Sequence, residues 1–210
     1  MTKNQDHWVG VYSSKSVTDV SWFRPHLDVS LALIDKANLS TSARIIDVGG
    51  GASTLVDDLL ARGFENITIL DIAAEAMTAS RARLGLLAER VTWIAADVTN
   101  ADLPRLAFDL WHDRAVFHFL TDPAVRKQYV MTAGAAIKPG GQLVIGTFGP
   151  DGPLKCSGLE IVRYDVDRLA AQFADEFDLL DHKSEIHVTP SGREQSFVYC
   201  RLEKRKIGAE

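Results

Sequence analysis

Residues 45–53, Ile45-Ile46-Asp47-Val48-Gly49-Gly50-Gly51-Ala52-Ser53, decide the fold because they join a strand to a helix through a glycine turn. Arg44–Val48 has the β-branched composition of a buried strand. The segment that follows, Ser53–Arg62, spaces its apolar residues at three and four, which is the helical period. Glycines at such a turn let a ligand approach the backbone without a Cβ in the way. The stretch therefore predicts the first strand-turn-helix unit of a parallel sheet, with a ligand site at its end.

The rest of the chain alternates short β-branched runs with helix-patterned segments, which is typical of a parallel sheet covered by helices on both faces. The predicted strands are Arg44–Val48, Asn66–Asp71, Val91–Ala96, Phe108–Asp113 and Gln142–Phe148, and the predicted helices between them are Ser53–Arg62, Ala73–Glu89 and Pro123–Ile137. After a long loop and a short helix come two more predicted strands, Phe177–Thr189 and Glu194–Glu203, joined by a Pro-Ser-Gly-Arg turn typical of a hairpin. We predict an α/β fold of five parallel strands plus a C-terminal antiparallel hairpin.

Residues 1–43 contain a cluster of aromatic residues, Trp8, Tyr12, Trp22 and Phe23, followed by a helical pattern over His26–Ala37. A surface appendage seldom contains so many aromatics. We therefore expect this segment to fold over the edge of the sheet or over its ligand crevice, with packing against the outer sheet face as the alternative. The predicted organisation is a cap segment, residues 1–43, and a ligand-binding domain, residues 44–210.

Composition excludes several classes of protein. The formal net charge of −5 over 210 residues opposes nucleic-acid binding, which needs a basic surface. Two cysteines, Cys156 and Cys200, provide neither a disulfide framework nor a four-cysteine zinc site, and His182 and His187 are spaced to point to opposite faces of a strand. With no secretory signal and no long apolar run, we expect a cytoplasmic protein that binds no metal, membrane or nucleic acid.

The glycine turn does not fit the two common phosphate-binding patterns. Counting from Gly49 places Gly49, Gly51 and Thr54 at the three positions of the dinucleotide fingerprint, so the third glycine is missing, and the P-loop lysine is missing as well. The stretch instead reads D-x-G-x-G-x-S, with Asp47 two residues before the first glycine. An acid at this edge of the sheet attracts a cationic group or braces the turn, and it repels a diphosphate.

Two further acids end the next two predicted strands. Asp71 lies 20 residues after Gly51, where a carboxylate accepts hydrogen bonds from ribose hydroxyls, and Asp97 is placed to accept an adenine amino group. For each acid the alternative is an N-cap of the following helix. Three carboxylates at successive strand ends form a coherent pattern at one edge of the predicted sheet.

These motifs resemble those of the class I S-adenosylmethionine-dependent methyltransferases, over about residues 40–148 by motif and to residue 203 by topology. The resemblance implies a Rossmann-like, doubly wound sheet of strand order 3-2-1-4-5-7-6 and S-adenosylmethionine as cofactor. It implies that the methionine part is held by the first acid and its turn, the ribose by Asp71 with Ile72, and the adenine by Asp97 with Val98. We also expect His112 at the cofactor, with an orientation into the helix layer as the alternative. The residues implied for the methionine part are Asp47, Gly49, Gly50, Gly51 and Ser53. Ser53 replaces a commoner third glycine, and a small residue suffices there.

A sulfonium is already an activated methyl donor, so the enzyme must mainly hold the acceptor in line and exclude water. We expect the catalytic groups just after the fourth strand, in the stretch Trp-His-Asp-Arg-Ala-Val-Phe-His-Phe. His118 is the expected base or acceptor-orienting group, with a backbone-bonded histidine as the alternative. Arg114 is expected to hold an anionic acceptor or to pair with Asp113. The expected substrate-binding residues are Trp22, Phe117, Arg163 and Tyr164.

Several functions stay open at this point. Methyl transfer to a small molecule comes first, with a thiol, an inorganic chalcogen, a carboxylate or a hydroxyl as acceptor. The alternatives are a protein lysine methyltransferase and a cofactor-binding module without catalysis. A nicotinamide-dependent reductase is disfavoured by the missing third glycine.

Overall fold

A computed structural model describes residues 3–14 and 16–206 of the chain. The strands are β1 Arg44–Val48, β2 Asn66–Asp71, β3 Val91–Ala95, β4 Phe108–Arg114, β5 Ile137–Phe148, β6 Lys155–Cys156, β7 Leu159–Glu160, β8 Phe177–Val188 and β9 Glu194–Lys204. The α-helices are α1 Lys3–Ser14, α2 Asp28–Asp35, α3 Leu55–Ala61, α4 Ala74–Leu84, α5 Pro123–Ala136 and α6 Val166–Ala171, and short 3₁₀ helices cover Gly85–Arg90 and Phe117–Phe119.

Seven of the strands form one sheet of order β3-β2-β1-β4-β5-β9-β8, and β6 pairs separately with β7. The strands from β1 to β5 are mutually parallel, whereas β9 is antiparallel to both β5 and β8. This arrangement confirms the predicted sheet and its strand order. In register, Val48 of β1 lies between Leu70 of β2 and Asp113 of β4, so the carboxyl ends of these strands meet at one edge of the sheet.

The sheet has an apolar layer on each face, as expected of strands that read as continuous hydrophobic runs. Along β1, Ile45 belongs to the cluster that packs with residues of α2 and α3, and its neighbour Ile46 belongs to the cluster that packs with residues of α5 and α6. This alternation follows from the two-residue period of a strand. The doubly wound arrangement leaves the strand ends as the place where a ligand meets the backbone.

Some predicted boundaries were wrong, and each has a local cause. The fifth strand begins at Ile137 rather than Gln142, because Phe108 pairs with Ile137 and Leu110 with Gln142, which leaves an irregularity where a helix end was expected. The long helix expected over Ala73–Glu89 ends at Leu84 and continues as a 3₁₀ helix, since Gly85 has a φ of +56°.

The N-terminal segment contains a helix, α1, that the sequence pattern did not indicate, and α1 packs beside α4. The ring of Trp8 lies edge-on to Trp22 and Phe119, with centroids 5.8 Å and 5.1 Å away. The described part of residues 1–43 thus reaches the carboxyl edge of the sheet. Among the helices that the structure describes, none is long and apolar enough to cross a membrane.

Candidate active site

A crevice of about 900 Å³, part of it open to solvent, lies at the carboxyl ends of β1 to β4. Its floor consists of the strand ends at residues 48–49, 70–72 and 96–99, and Trp8, Tyr12 and Trp22 cover it. A smaller cavity shares Tyr12, Trp22, Gly49 and Arg114 with the crevice and extends past Asp47, Gly50 and Ser53.

The glycine turn after β1 leaves no room for side chains. Gly49 has a φ of +70° and donates its main-chain N–H to Leu70 O at 2.7 Å, which fixes the turn against β2. A Cβ on Gly50 would collide with the Asp47 carboxylate, and a Cβ on Gly51 would lie 2.6 Å from the Cβ of Ala76. Gly49 and Gly50 line the cavities, whereas Gly51 is absent from their lining and supports the turn from behind.

Asp71 closes the end of β2 and faces the crevice. Its Oδ2 accepts a hydrogen bond from Gly51 N at 3.1 Å, and its Oδ1 accepts one from Ala73 N at 3.0 Å. Burial raises the pKa of this carboxyl to about 6. A carboxylate offers about four lone-pair sites, so Asp71 retains the capacity to accept from hydroxyl groups of a ligand.

Asp97 lies across the crevice floor from Asp71, and Ile72 and Val98 form apolar walls beside the two acids. Asp97 Oδ1 accepts hydrogen bonds from Thr99 N at 2.9 Å and Thr99 Oγ1 at 2.7 Å. This contact holds a turn rather than a helix, so the expected alternative of a helix N-cap does not apply here. An acid between two apolar walls suits a flat heterocycle that donates an amino hydrogen.

Asp47 belongs to a buried polar chain that lies under the glycine turn. His112 Nδ1 lies 2.7 Å from Asp47 Oδ1, and its Nε2 lies 2.9 Å from Ser30 Oγ. Because an ionised carboxylate only accepts, Nδ1 donates to Asp47. Asp47 Oδ2 is buried and has no hydrogen-bond partner among the described residues, and Asp47 is one of the residues that line the smaller cavity.

Arg114, the last residue of β4, lines both cavities. Its Nε donates to Tyr199 OH at 2.9 Å and its Nη1 donates to Trp22 O at 3.0 Å. The guanidinium also lies over the Phe197 ring, 4.6 Å from the centroid. It forms no ion pair with Asp113, whose carboxylate instead accepts from Tyr129 OH at 2.6 Å.

Of the other predicted catalytic and substrate residues, Trp22 lines both cavities, whereas His118, Phe117, Arg163 and Tyr164 line neither. His118 is fully buried, its Nδ1 accepts a hydrogen bond from Phe148 N at 3.3 Å, and burial lowers its pKa to about 3. This is the backbone-bonded alternative considered above, and the geometry gives no support to His118 as a base. Phe117 and Tyr164 pack together in the core with ring centroids 5.7 Å apart, and Arg163 Nη1 donates to Gly152 O at 3.1 Å.

Sequence reasoning did not assign Trp8, Tyr12 or Cys156 to the site, although all three line the crevice. The aromatic cluster was the sequence signal for Trp8 and Tyr12. Because the sequence pattern did not predict α1, it did not indicate where their side chains point. Burial raises the pKa of the Cys156 thiol to about 12 and raises that of Tyr12 as well. Within the described part of the chain, no cluster of His, Cys, Asp and Glu has the makeup of a metal site.

Comparison with known proteins agrees with this geometry. A family model described as a methyltransferase domain matches residues 45–141. An uncharacterized methyltransferase of Mycobacterium tuberculosis is 30% identical over 117 residues, and the match spans 56% of this chain and 56% of that protein. The EEF1A lysine methyltransferase 2 of Danio rerio is 26% identical over 157 residues, 67% of this chain and 66% of the relative.

Among solved structures, the fold is similar to that of a 1,6-didemethyltoxoflavin-N1-methyltransferase from Burkholderia thailandensis, with a TM-score of 0.73 and 19% identity, over 97% of this chain and 88% of the other. The seven-stranded sheet has the Rossmann-like arrangement of these structures. The chain is thus similar to methyltransferases over residues 45–141, and its fold is similar to that of S-adenosylmethionine-dependent methyltransferases.

Proposed function

We propose that the protein transfers a methyl group from S-adenosylmethionine to a small-molecule acceptor. The observation that carries this proposal is the convergence of the glycine turn after β1, Asp71 and Asp97 on one crevice. The match of residues 45–141 to a methyltransferase-domain model supports the same assignment.

The residues present fit this cofactor. Asp71 would accept from the ribose hydroxyls, Ile72 and Val98 would enclose the adenine, and Asp97 would accept from its amino group. The glycine turn, Ser53 and the unpartnered Asp47 Oδ2 would face the amino acid end, where a cationic amino group has a partner of opposite charge. When bound, S-adenosylmethionine supplies a methyl group on a positively charged sulfur, which needs no further activation.

The chain itself contributes position and dryness. Trp8, Tyr12 and Trp22 add apolar surface to the lining of the crevice, which limits the water around the reacting groups. The chain of hydrogen bonds from Asp47 through His112 to Ser30 fixes the first acid under the turn. A rigid pocket of this kind holds two reactants at the short separation that a displacement requires.

The cover favours a small acceptor over a protein. Side chains of α1 and of the segment before α2 lie over the crevice, so a protein segment would have to displace them to reach its interior. The structurally similar Burkholderia protein was solved with a small heterocycle and S-adenosylhomocysteine bound. The similarity to the lysine methyltransferase of Danio rerio makes a protein lysine the second candidate, and a cofactor-binding module without catalysis is the third.

A thermal-shift measurement tests the cofactor assignment. S-adenosylhomocysteine at 100 times its dissociation constant should stabilise the folded protein by ~2.7 kcal/mol, and NADH should leave the midpoint unchanged. The acceptor class can then be tested with methyl-labelled cofactor and a panel of thiols, carboxylic acids, phenols and cell lysate. Label in small molecules supports the first candidate. Label confined to proteins would favour lysine methylation, and no transfer despite tight binding would favour the module.

A further inference from the structure

Arg114 brings a positive charge to the wall of the crevice without a carboxylate in contact with it among the residues that the structure describes. Its two bonded nitrogens donate to neutral oxygens, those of Tyr199 OH and Trp22 O. Arg114 is connected to a carboxylate only indirectly, because Tyr199 OH donates in turn to Glu185 Oε2 at 2.7 Å. The guanidinium charge is therefore held in place but not neutralised by direct contact.

The third guanidinium nitrogen, Nη2, has no partner at all. It is buried, and no hydrogen-bond acceptor of the described residues lies within reach. Leaving a buried charged donor unpaired is costly, so such an atom at a ligand site indicates a group that the ligand supplies. The Phe197 ring packs against the guanidinium and limits its movement away from the crevice.

We propose that Arg114 Nη2 binds an anionic oxygen of the methyl acceptor, so that the acceptor is a small organic acid held as its anion. This inference rests on the proposed function and narrows its substrate class. A carboxylate, phenolate or enolate shares the required chemistry, a negative oxygen that accepts a charge-assisted hydrogen bond. The surrounding rings of Tyr12 and Trp22 favour an acid with a flat apolar body.

The side chains around Arg114 provide a second, independent reason. An acceptor that binds as an anion needs no residue to remove a proton, whereas a lysine ammonium must lose one. Tyr12 and Cys156 line the crevice together with Arg114, and burial keeps both side chains protonated at neutral pH. The other titratable side chains of this lining, Asp71 and Asp97, are the acids proposed to bind the nucleoside. An ammonium would also be repelled by the guanidinium. The wall thus suits an anionic acceptor and disfavours a cationic one.

The experiment compares three ring compounds of similar size and different charge. Binding of benzoate, benzamide and benzylamine is measured by titration calorimetry on the full chain saturated with S-adenosylhomocysteine. We expect benzoate to bind about tenfold or more tightly than benzamide, the ratio for one charge-assisted hydrogen bond, and benzylamine to bind more weakly than either. Arg114→Gln should abolish the preference for benzoate, and Arg114→Lys, which keeps the charge, should retain part of it.

The control is Arg105→Gln, which makes the same change at an exposed arginine outside the crevice and should keep the wild-type preference. Equal binding of benzoate and benzamide by the wild type, absence of benzoate binding, or an unchanged preference in Arg114→Gln would each overturn the inference. The thermal shift with S-adenosylhomocysteine is recorded for every variant. A wild type that fails to bind this nucleoside contradicts the proposed function itself, whereas nucleoside binding without the benzoate preference contradicts only the anionic acceptor.

Discussion

The Asp71 carboxylate accepts a hydrogen bond from the main-chain nitrogen of Gly51 at 3.1 Å, which ties the end of β2 to the glycine turn after β1. The acid therefore has two roles, since it braces the turn and also faces the crevice. Its buried position explains both the raised pKa and the close approach of the two strand ends. Substitution of either residue should therefore affect both the conformation of the turn and the binding of the ligand.

Gly51→Ala tests the turn. The added Cβ would lie 2.6 Å from Ala76 Cβ and 2.7 Å from Asp71 Oδ2, so the turn or α4 must shift. We expect the free energy of unfolding to fall by ~1–3 kcal/mol, the usual cost of overpacking, with weaker binding of S-adenosylhomocysteine. Chemical denaturation and calorimetry measure the two effects. Gly10→Ala is the control, because nothing lies within 4 Å of that Cβ and alanine favours a helix.

Wild-type affinity in Gly51→Ala would show that the ligand does not depend on this turn. A loss of affinity in Gly10→Ala equal to that in Gly51→Ala would show that the effect is not specific to the turn.

Asp71→Asn tests the ribose assignment through its pH dependence. The pKa of about 6 means that the ligand-free carboxyl gains a proton as the pH falls below 6, and a protonated carboxyl is a poorer acceptor for hydroxyl groups. Binding of S-adenosylhomocysteine to the wild type should therefore weaken by roughly tenfold for each pH unit below 6. The variant should bind ~1.5–3 kcal/mol more weakly at neutral pH, with a flatter pH profile.

Asp102→Asn makes the same change at an exposed acid and should keep the wild-type profile. Calorimetric titrations from about pH 7.5 to about pH 5 measure both variants. If the affinity of Asp71→Asn fell with pH as steeply as that of the wild type, the group whose protonation weakens binding would not be Asp71.

Much of the fold was predictable because the strand composition, the turn residues and the helical spacing all indicate the same architecture. The β-branched composition of β1 and β2, the glycines after β1 and the helical spacing of α3 all point to the same strand-turn-helix unit. Asp71 and Asp97 line the crevice for a related reason. A residue at the carboxyl end of a parallel strand faces the ligand edge whatever the details of its loop.

The segment after β4 was not predictable in the same way. Ala115 has a φ of +71°, and Asp113 accepts hydrogen bonds from the N–H groups of Val116 and Phe117. This turn sends the chain back toward the core, so that His118 points away from the crevice. A left-handed alanine has no signature in the sequence, since glycine and asparagine are the residues that usually adopt this conformation.

Trp8→Ala tests the cover of the crevice. The Trp8 ring contacts Trp22 and Phe119 and forms part of the crevice wall. Its removal should weaken S-adenosylhomocysteine binding by about 1–3 kcal/mol through the lost apolar contact. Trp93→Ala is the matched control, because Trp93 donates its Nε1–H to Ala88 O at 3.0 Å outside the crevice. Trp93→Ala should lose stability while keeping its affinity for S-adenosylhomocysteine. Normal affinity in Trp8→Ala together with weakened affinity in Trp93→Ala would show that α1 is not part of the site.

His118→Gln tests the buried histidine after β4. Burial holds the pKa of His118 near 3, below the ordinary value of 6.5, so the neutral ring is favoured in the folded protein. Its contribution to stability is complete above pH 6.5 and is lost as the pH falls from 6.5 toward 3, at about 1.4 kcal/mol for each pH unit. The glutamine variant lacks this titration, so the stability difference between the two proteins should shrink on acidification, as denaturant unfolding at several pH values would measure. His182→Gln, at an exposed position, should follow the wild type.

The affinity for S-adenosylhomocysteine should be unchanged in both variants. A loss of about 100-fold in turnover with normal stability in His118→Gln would instead show that His118 acts as a base.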